Sequence, residues 1–259
     1  MRPTEYDAMF QLEDHYWWFD GSMRFVLSAL NDTSARESGR ILDAGCGTGG
    51  LLRRLVHRKA WGVEIASDGI RLCRRRGLEN VLQASVTKLP FQSNSFGVVL
   101  SIDVLVHQWV PDDVSALREI HRVLVPGGFI LLQVAAYRAL WSAHDAATLT
   151  RHRYTRDELA EKVKRAGFAI VRITYRNTFL SPLAVLIKLL RRAWASNATK
   201  SDLVVLPRLV DRALFVVVAF ENYVARRVSL PFGVSIFCVA QKPLSQNYPE
   251  APVLCPGQP

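Results

Sequence analysis

A chain of 259 residues, 49% hydrophobic and 22% charged, has enough apolar material for one large domain or one domain with an insertion, and is too apolar for a disordered polymer. The formal net charge is +10, and residues 151–227 alone carry 16 Lys/Arg against 6 Asp/Glu, so the basic excess belongs to the later part of the chain. Four scattered cysteines without a Cys-x-x-Cys pair argue against a zinc framework or a disulfide scaffold, and the N-terminus has no apolar leader core, so a reduced, cytoplasmic setting is expected.

The first feature in chain order is EDHYWWF, Glu13–Phe19, a heavy aromatic load ahead of any strand. RILDAGC (40–46) reads as a short buried strand entering a glycine loop, and GLLRRLVHRK (50–59) follows with helical apolar spacing. AWGVEI (60–65) is a second strand, and ASDGIRLCRRRG (66–77) a helix with a polar start, a basic last turn and a terminal glycine. Strands are expected at 80–85 and 96–105, and Pro111–Asp112 opens a helix with Val114, Leu117, Ile120 and Leu124 on one side. A fifth strand runs over 127–136. Thr155 and Glu158 suggest a capping box for a helix that ends at Gly167, and two later strands are expected at 169–176 and 233–242. Strands alternating with helices predict an α/β fold with a largely parallel sheet, whose ligands bind beyond the carboxyl ends of the strands.

The loop DAGCGTGG sets Asp43, Gly45, Gly47 and Gly49 in a D-x-G-x-G-x-G array. Missing Cβ atoms let backbone amides approach a ligand. A carboxylate beside a pyrophosphate would be repelled, so Asp43 weighs against NAD or ATP and suits a ligand with an ammonium group. Glu64 closes the second strand, where an acid accepts hydrogen bonds from ribose hydroxyls.

ILDAGCGTGG, GVEIA, LPFQSNSFGVVLSIDVLVH and LREIHRVLVPGGFILL resemble, in order and spacing, the motifs of class I S-adenosylmethionine-dependent methyltransferases, over about residues 40–136. The resemblance implies a Rossmann-like, seven-stranded, mostly parallel sheet with its last strand antiparallel, and S-adenosyl-L-methionine as cofactor. It implies that Asp43, Gly45, Cys46, Gly47 and Gly49 hold the methionine portion, that Glu64 holds the ribose, and that Ile65 flanks the adenine. Ser85 stands where the family commonly has an aspartate toward the adenine amino group, which shifts weight to the Val86 backbone. Ile102 is a further cofactor-side candidate, and Arg24 is expected near the cofactor carboxylate.

Methyl transfer needs in-line placement, a dry pocket and, for a hydroxyl or carbon acid, a base. Asp103, His107 and His144 are the candidates. IDVLVH also resembles the E-x-x-E-H stretch of ubiquinone-pathway O-methyltransferases, whose acids and histidine bind a divalent ion. Val106 replaces the second acid here, so no metal is expected. Trp17, Trp18, Tyr137, Trp141, His152 and Tyr154 are the expected substrate-binding residues. YWWFDG resembles the W-W segment of quinone-pathway enzymes, which makes it a lid with one tryptophan toward the core and one toward the pocket.

The expected organisation is a helical lid at 1–35, the cofactor-binding core at 36–180, a helical insertion at 181–231, the last core strand at 232–243 and a flexible tail at 244–259. The insertion reads as two amphipathic helices, SPLAVLIKLLRRAW and LPRLVDRALFVVVAFENYVARR. They suit a cap, a homodimer contact or a peripheral membrane surface, but not a bilayer span. The expected function is O- or C-methylation of a hydrophobic or aromatic small molecule that is quinone-like, polyketide-like or lipid-linked. The alternatives are an RNA methyltransferase and a non-catalytic cofactor-binding subunit. The net charge favours the first, but the chain has no N-P-P-Y-like tetrapeptide and no recognisable RNA-binding module, so nucleic acid is not the expected partner. The intact Asp43, glycines and Glu64 argue against the second.

Overall fold

Short apolar runs build the middle of the sheet. In the computed structural model, which describes residues 1–33, 39–182, 185 and 206–244, β1 (Ile41–Ala44) is buried at every position and β4 (Phe96–Ile102) at all but its last. That is the pattern of parallel strands covered by helices on both faces. The seven strands lie in the order β3-β2-β1-β4-β5-β7-β6, with β2 (Ala60–Glu64), β3 (Val81–Gln83), β5 (Leu124–Ala135), β6 (Ala169–Arg176) and β7 (Ser235–Gln241). Pairings are parallel from β3 to β5, and β7 is antiparallel to both of its neighbours, as expected of the last strand.

Most helices follow the sequence signals. After α3 (Gly50–Arg53) and α4 (Ser67–Arg75), helix α5 (Asp113–Val123) starts where the Asp112 side chain accepts from the amides of Val114 and Ser115. A short helix α6 (Ala143–Ala147) precedes α7 (Arg156–Arg165), which Thr155 caps through the Glu158 amide. The expected capping box is only half made, because the Glu158 carboxylate pairs with His152 and Lys162 instead. The helix expected over 50–59 is also cut short: α3 gives way to turns that run to Arg58.

β1 connects to β2 on one side and pairs with β4 on the other, so the switch in strand order lies between β1 and β4. Asp43, Glu64 and Asp103 come from the carboxyl ends of β1, β2 and β4, and this edge is the ligand crevice of an open α/β sheet.

Two N-terminal helices roof that edge. α1 (Pro3–Leu12) has a proline in its first turn, and α2 (Trp17–Asp32) buries Phe25, Val26 and Leu30. The Phe25 ring meets Phe237 of β7 edge-on at 4.9 Å. Arg76 fastens the turn between the helices to the glycine loop. It bonds Glu13 and Asp14 at 2.7 Å each, the Phe10 carbonyl at 3.1 Å and the Thr48 carbonyl at 3.0 Å.

Of the insertion, the segment LPRLVDRALFVVVAFENYVARR forms α8 (Arg208–Ala225), while most of SPLAVLIKLLRRAW lies outside the described residues. α8 runs alongside α2 in the same direction. Asp211 accepts from the Trp17 amide at 3.2 Å, Asn222 donates to the Gly21 carbonyl at 2.9 Å, and Arg226 pairs with Asp32 at 2.8 Å. A Cβ on Gly21 would lie 2.5 Å from Val218, so only glycine permits this approach. The segment therefore covers the outer face of the lid. No helix among the described residues is long and apolar enough to cross a membrane. The expected tail beyond Leu244 lies outside the described residues.

Candidate active site

The glycine loop bends at Gly45, whose φ of +96° belongs to the left-handed region, and a Cβ there would strike Val104. The amides of Gly45 and Cys46 both donate to the Val63 carbonyl, at 2.7 and 2.9 Å, which ties the loop to β2. The Gly47 amide donates to Glu64 Oε2 at 2.9 Å, while Glu64 Oε1 accepts from Tyr6 and from the Ala66 amide at 3.0 Å each. Glu64 is thus a buried acid already holding three donors, one of them from the lid.

A cavity of about 530 Å³ opens over these groups. Asp43, Gly45, Cys46, Gly47, Glu64, Ile65, Ala84, Ser85 and Val86 line it, together with the aromatic side chains of Tyr16, Trp17, Trp18, Phe19 and Trp109, the apolar Met23, Val106 and Val110, and Asp103, His107 and His144. No hydrogen bond from the described residues reaches the buried Asp43 carboxylate. Burial, with Glu64 and Glu13 nearby, raises its pKa from 3.8 to about 7. An unpaired acid held this way is a seat for a cation.

Asp103 sits at φ 57°, a turn conformation in which aspartate is tolerated better than most residues. Its Oδ2 accepts from Gln133 Nε2 at 2.9 Å, and no hydrogen bond from the described residues takes Oδ1. Burial raises its pKa despite the Gln133 bond and the charges of Arg176 and Arg153. His107 behaves oppositely: burial, aided by the positive N-terminus, lowers its pKa to about 4, so its ring is neutral near pH 7. Among the described residues, Trp17 Nε1, His107 Nδ1 and His144 Nδ1 are buried nitrogens of cavity-lining side chains with no hydrogen-bond partner.

Several expected site residues lie elsewhere. Arg24 does not line the cavity: it pairs with Asp20 at 2.9 Å and lies over the Phe215 ring of α8, because its place on α2 points outward. Gly49 packs on Leu78 and Cys73 rather than on the cavity. Tyr137, Trp141, His152 and Tyr154 do not line it either. Tyr137 stacks on Tyr175 at 5.3 Å, His152 pairs with Glu158 at 2.8 Å, and Tyr154 is fully buried with its hydroxyl on the Leu105 carbonyl. Trp141 ends a short 3-10 turn at Arg138–Leu140. Both tryptophans of the lid line the cavity, against the expectation that one would face the core. Asp145, next to His144, accepts from Arg153 at 2.8 and 3.0 Å.

The sequence reading missed Glu5, Tyr6 and Met9, which bring α1 into the cavity wall. The signal was available: Tyr6, Met9 and Phe10 recur at helical spacing after Pro3. It also missed Gln133, which no pattern distinguishes from an ordinary strand residue.

Residues 42–132 match the family described as methyltransferase domain. This stretch is a class I methyltransferase domain. It holds the glycine loop, Glu64 and Asp103, and the lid and α8 lie outside it. A fatty-acid O-methyltransferase of Mycolicibacterium smegmatis is 38% identical over 119 residues, covering 42% of this chain and 42% of that protein. The ubiquinone/menaquinone biosynthesis C-methyltransferase UbiE of Coxiella burnetii is 30% identical over 170 residues, covering 57% and 64%. The chain spans about half the length of the curated relatives it matches. Among solved structures, geranyl diphosphate C-methyltransferase from Streptomyces coelicolor A3(2) has a TM-score of 0.57 at 15% identity, covering 86% of this chain and 78% of that one. At that identity the likeness concerns the fold, and the methyltransferase domain here shares it.

Proposed function

We propose that this chain transfers a methyl group from S-adenosyl-L-methionine to an oxygen or carbon of a hydrophobic or aromatic small molecule: quinone-like, polyketide-like or lipid-linked. The observation that carries the reading is one cavity lined both by the acids Asp43 and Glu64 and by the aromatic side chains of Trp17 and Trp18. The residues fit the cofactor. Asp43 is a buried carboxylate without a donor and suits the ammonium group. Glu64 suits the ribose hydroxyls, with the Tyr6 hydroxyl as the donor they would replace. Ile65, Ala84 and Val86 offer apolar walls for a flat base, with the Ser85 hydroxyl beside them.

When bound, the cofactor supplies an electrophilic methyl group on a sulfonium. The chain's own work is to exclude water with the lid, to seat the acceptor among aromatic side chains and to take a proton at Asp103. Asp103 suits that proton better than His107, because burial makes the carboxylate more basic and the imidazole less so. The apolar substrates in the names of the fatty-acid and quinone-pathway enzymes support the acceptor class. The test is incubation with methyl-labelled cofactor and a panel comprising a fatty acid, a long-chain phenol and a quinol. Label in the apolar extract is expected, and label found only in RNA or protein would reject the reading.

A further inference from the structure

A chain of buried polar side chains leads away from the cavity at Asp103. Gln133 of β5 is 2% exposed, and its Nε2 donates to Asp103 Oδ2 at 2.9 Å. Its Oε1 accepts from Arg176 Nη1 of β6 at 2.7 Å. Arg176 is 1% exposed and lies 4.0 Å over the Phe25 ring of α2. It also donates to Ser22 of α2 at 3.2 Å and to Asn222 of α8 at 3.0 Å. Asn222 in turn donates to the Gly21 carbonyl at 2.9 Å.

The donor and acceptor roles along this chain admit one arrangement. A guanidinium only donates, so the Gln133 oxygen must face Arg176 and its NH₂ must face Asp103. Asp103 Oδ2 is thereby fixed as an acceptor. A proton on Asp103 must go to Oδ1, the oxygen that no described residue occupies. Burying an arginine and a glutamine in a sheet is costly unless each is hydrogen-bonded, and an apolar pair would have packed there at lower cost.

We infer that Gln133 and Arg176 are positioning residues that hold the Asp103 carboxylate with Oδ1 turned to the methyl acceptor, and that Asn222 ties this orientation to the seating of α8. The inference rests on the proposed methyl transfer for its purpose, but not for its geometry. The other charged and titratable groups that act on Asp103 are Arg153 and His144. Arg153 is committed to Asp145 and the Ala136 carbonyl, so it cannot replace the Gln133 contact.

The proton on Asp103 can be followed without knowing the acceptor. Full-length protein saturated with S-adenosylhomocysteine, labelled with ¹³C at aspartate carboxyl carbons, gives the Asp103 resonance by its loss in Asp103→Asn. Gln133→Glu keeps the volume and can still accept from Arg176, but it sets a carboxylate against Asp103. The Asp103 midpoint is expected to rise by about one pH unit or more, a tenfold change in proton affinity. Asn222→Ala, on the lid's outer helix, is expected to move it a smaller distance in the same direction, and cofactor affinity should stay within about twofold in both variants, since neither residue lines the cavity. An unmoved Asp103 midpoint in Gln133→Glu would overturn the inference. A moved midpoint in a protein that methylates nothing in the acceptor panel would reject the proposed function and leave the positioning chain standing. If the acceptor is found, Gln133→Glu is expected to lower kcat by roughly 10²-fold at pH 7, the scale of general-base assistance, with little change in KM.

Discussion

The Tyr6 hydroxyl donates to Glu64 at 3.0 Å, joining the first helix of the chain to the acid that ends β2. Through this bond the lid occupies the carboxylate that a ribose would use, so cofactor entry exchanges one hydroxyl for others. Tyr6→Phe removes the competitor and leaves Glu64 with the Gly47 and Ala66 amides. Cofactor association, followed by stopped-flow tryptophan fluorescence, is expected to quicken severalfold. The stability loss should stay near 1 kcal/mol, the net worth of one hydrogen bond. Slower association would show that Tyr6 helps to recruit the ligand rather than competing with it.

In the proposed reaction Asp43 would link cofactor binding to pH. Its proton is held up to about pH 7 in the folded protein, against 3.8 for the ordinary side chain. A raised acid pKa means that the folded state binds more protons between those values, so this group's contribution to stability falls as pH rises from about 4 to about 7. A cationic ligand favours the ionised form, so binding should release a proton near pH 6.5 and tighten as pH rises. Calorimetry in two buffers of different ionisation enthalpy reads the release. Asp43→Asn is expected to raise the melting temperature at pH 7.5 while abolishing measurable cofactor binding.

Arg76 is the lid's fastening. It and Glu13 are each only 4% exposed at the side chain, and a broken buried pair of this kind costs about 3–5 kcal/mol. Arg76→Met is expected to lower stability on that scale and to increase proteolytic cleavage around residues 12–17. Cleavage spread evenly over the chain would indicate global unfolding instead.

Much of this was legible in the sequence because parallel strands and the glycine loop announce themselves locally. β1 and β4 are buried on both faces and read as short, mainly apolar runs, and Asp43 and Glu64 follow from strand ends. The residues that went astray are those whose role depends on distant partners. Arg24 follows the tryptophans on the same helix, but α8, about 190 residues later, takes that face of α2. Tyr154 and His152 look like pocket residues because they are aromatic and clustered. Yet the Tyr154 hydroxyl is satisfied by Leu105 and His152 by Glu158, contacts that no local pattern reveals. Gln133 was invisible for the same reason.

The choice of base makes a further prediction. With His107 neutral above about pH 4, its protonation does not shape the rate near neutrality. The acidic limb of the kcat profile should therefore belong to Asp103, whose pKa is raised by burial. Asp103→Asn is expected to lower kcat by roughly 10²–10⁴-fold, and His107→Gln much less. A limb that vanishes in His107→Gln but survives in Asp103→Asn would reverse the assignment.

In the proposed reaction one cavity seats the methyl donor against Asp43 and Glu64 and the acceptor among the lid's aromatic side chains. The decisive measurement is a crystal structure with S-adenosylhomocysteine. It is expected to show the ammonium group against Asp43, the ribose on Glu64 in place of the Tyr6 hydroxyl, and the sulfur facing the space between Asp103 and Trp17. A cofactor bound away from Asp43, or with its sulfur turned from the aromatic side chains, would contradict this seating.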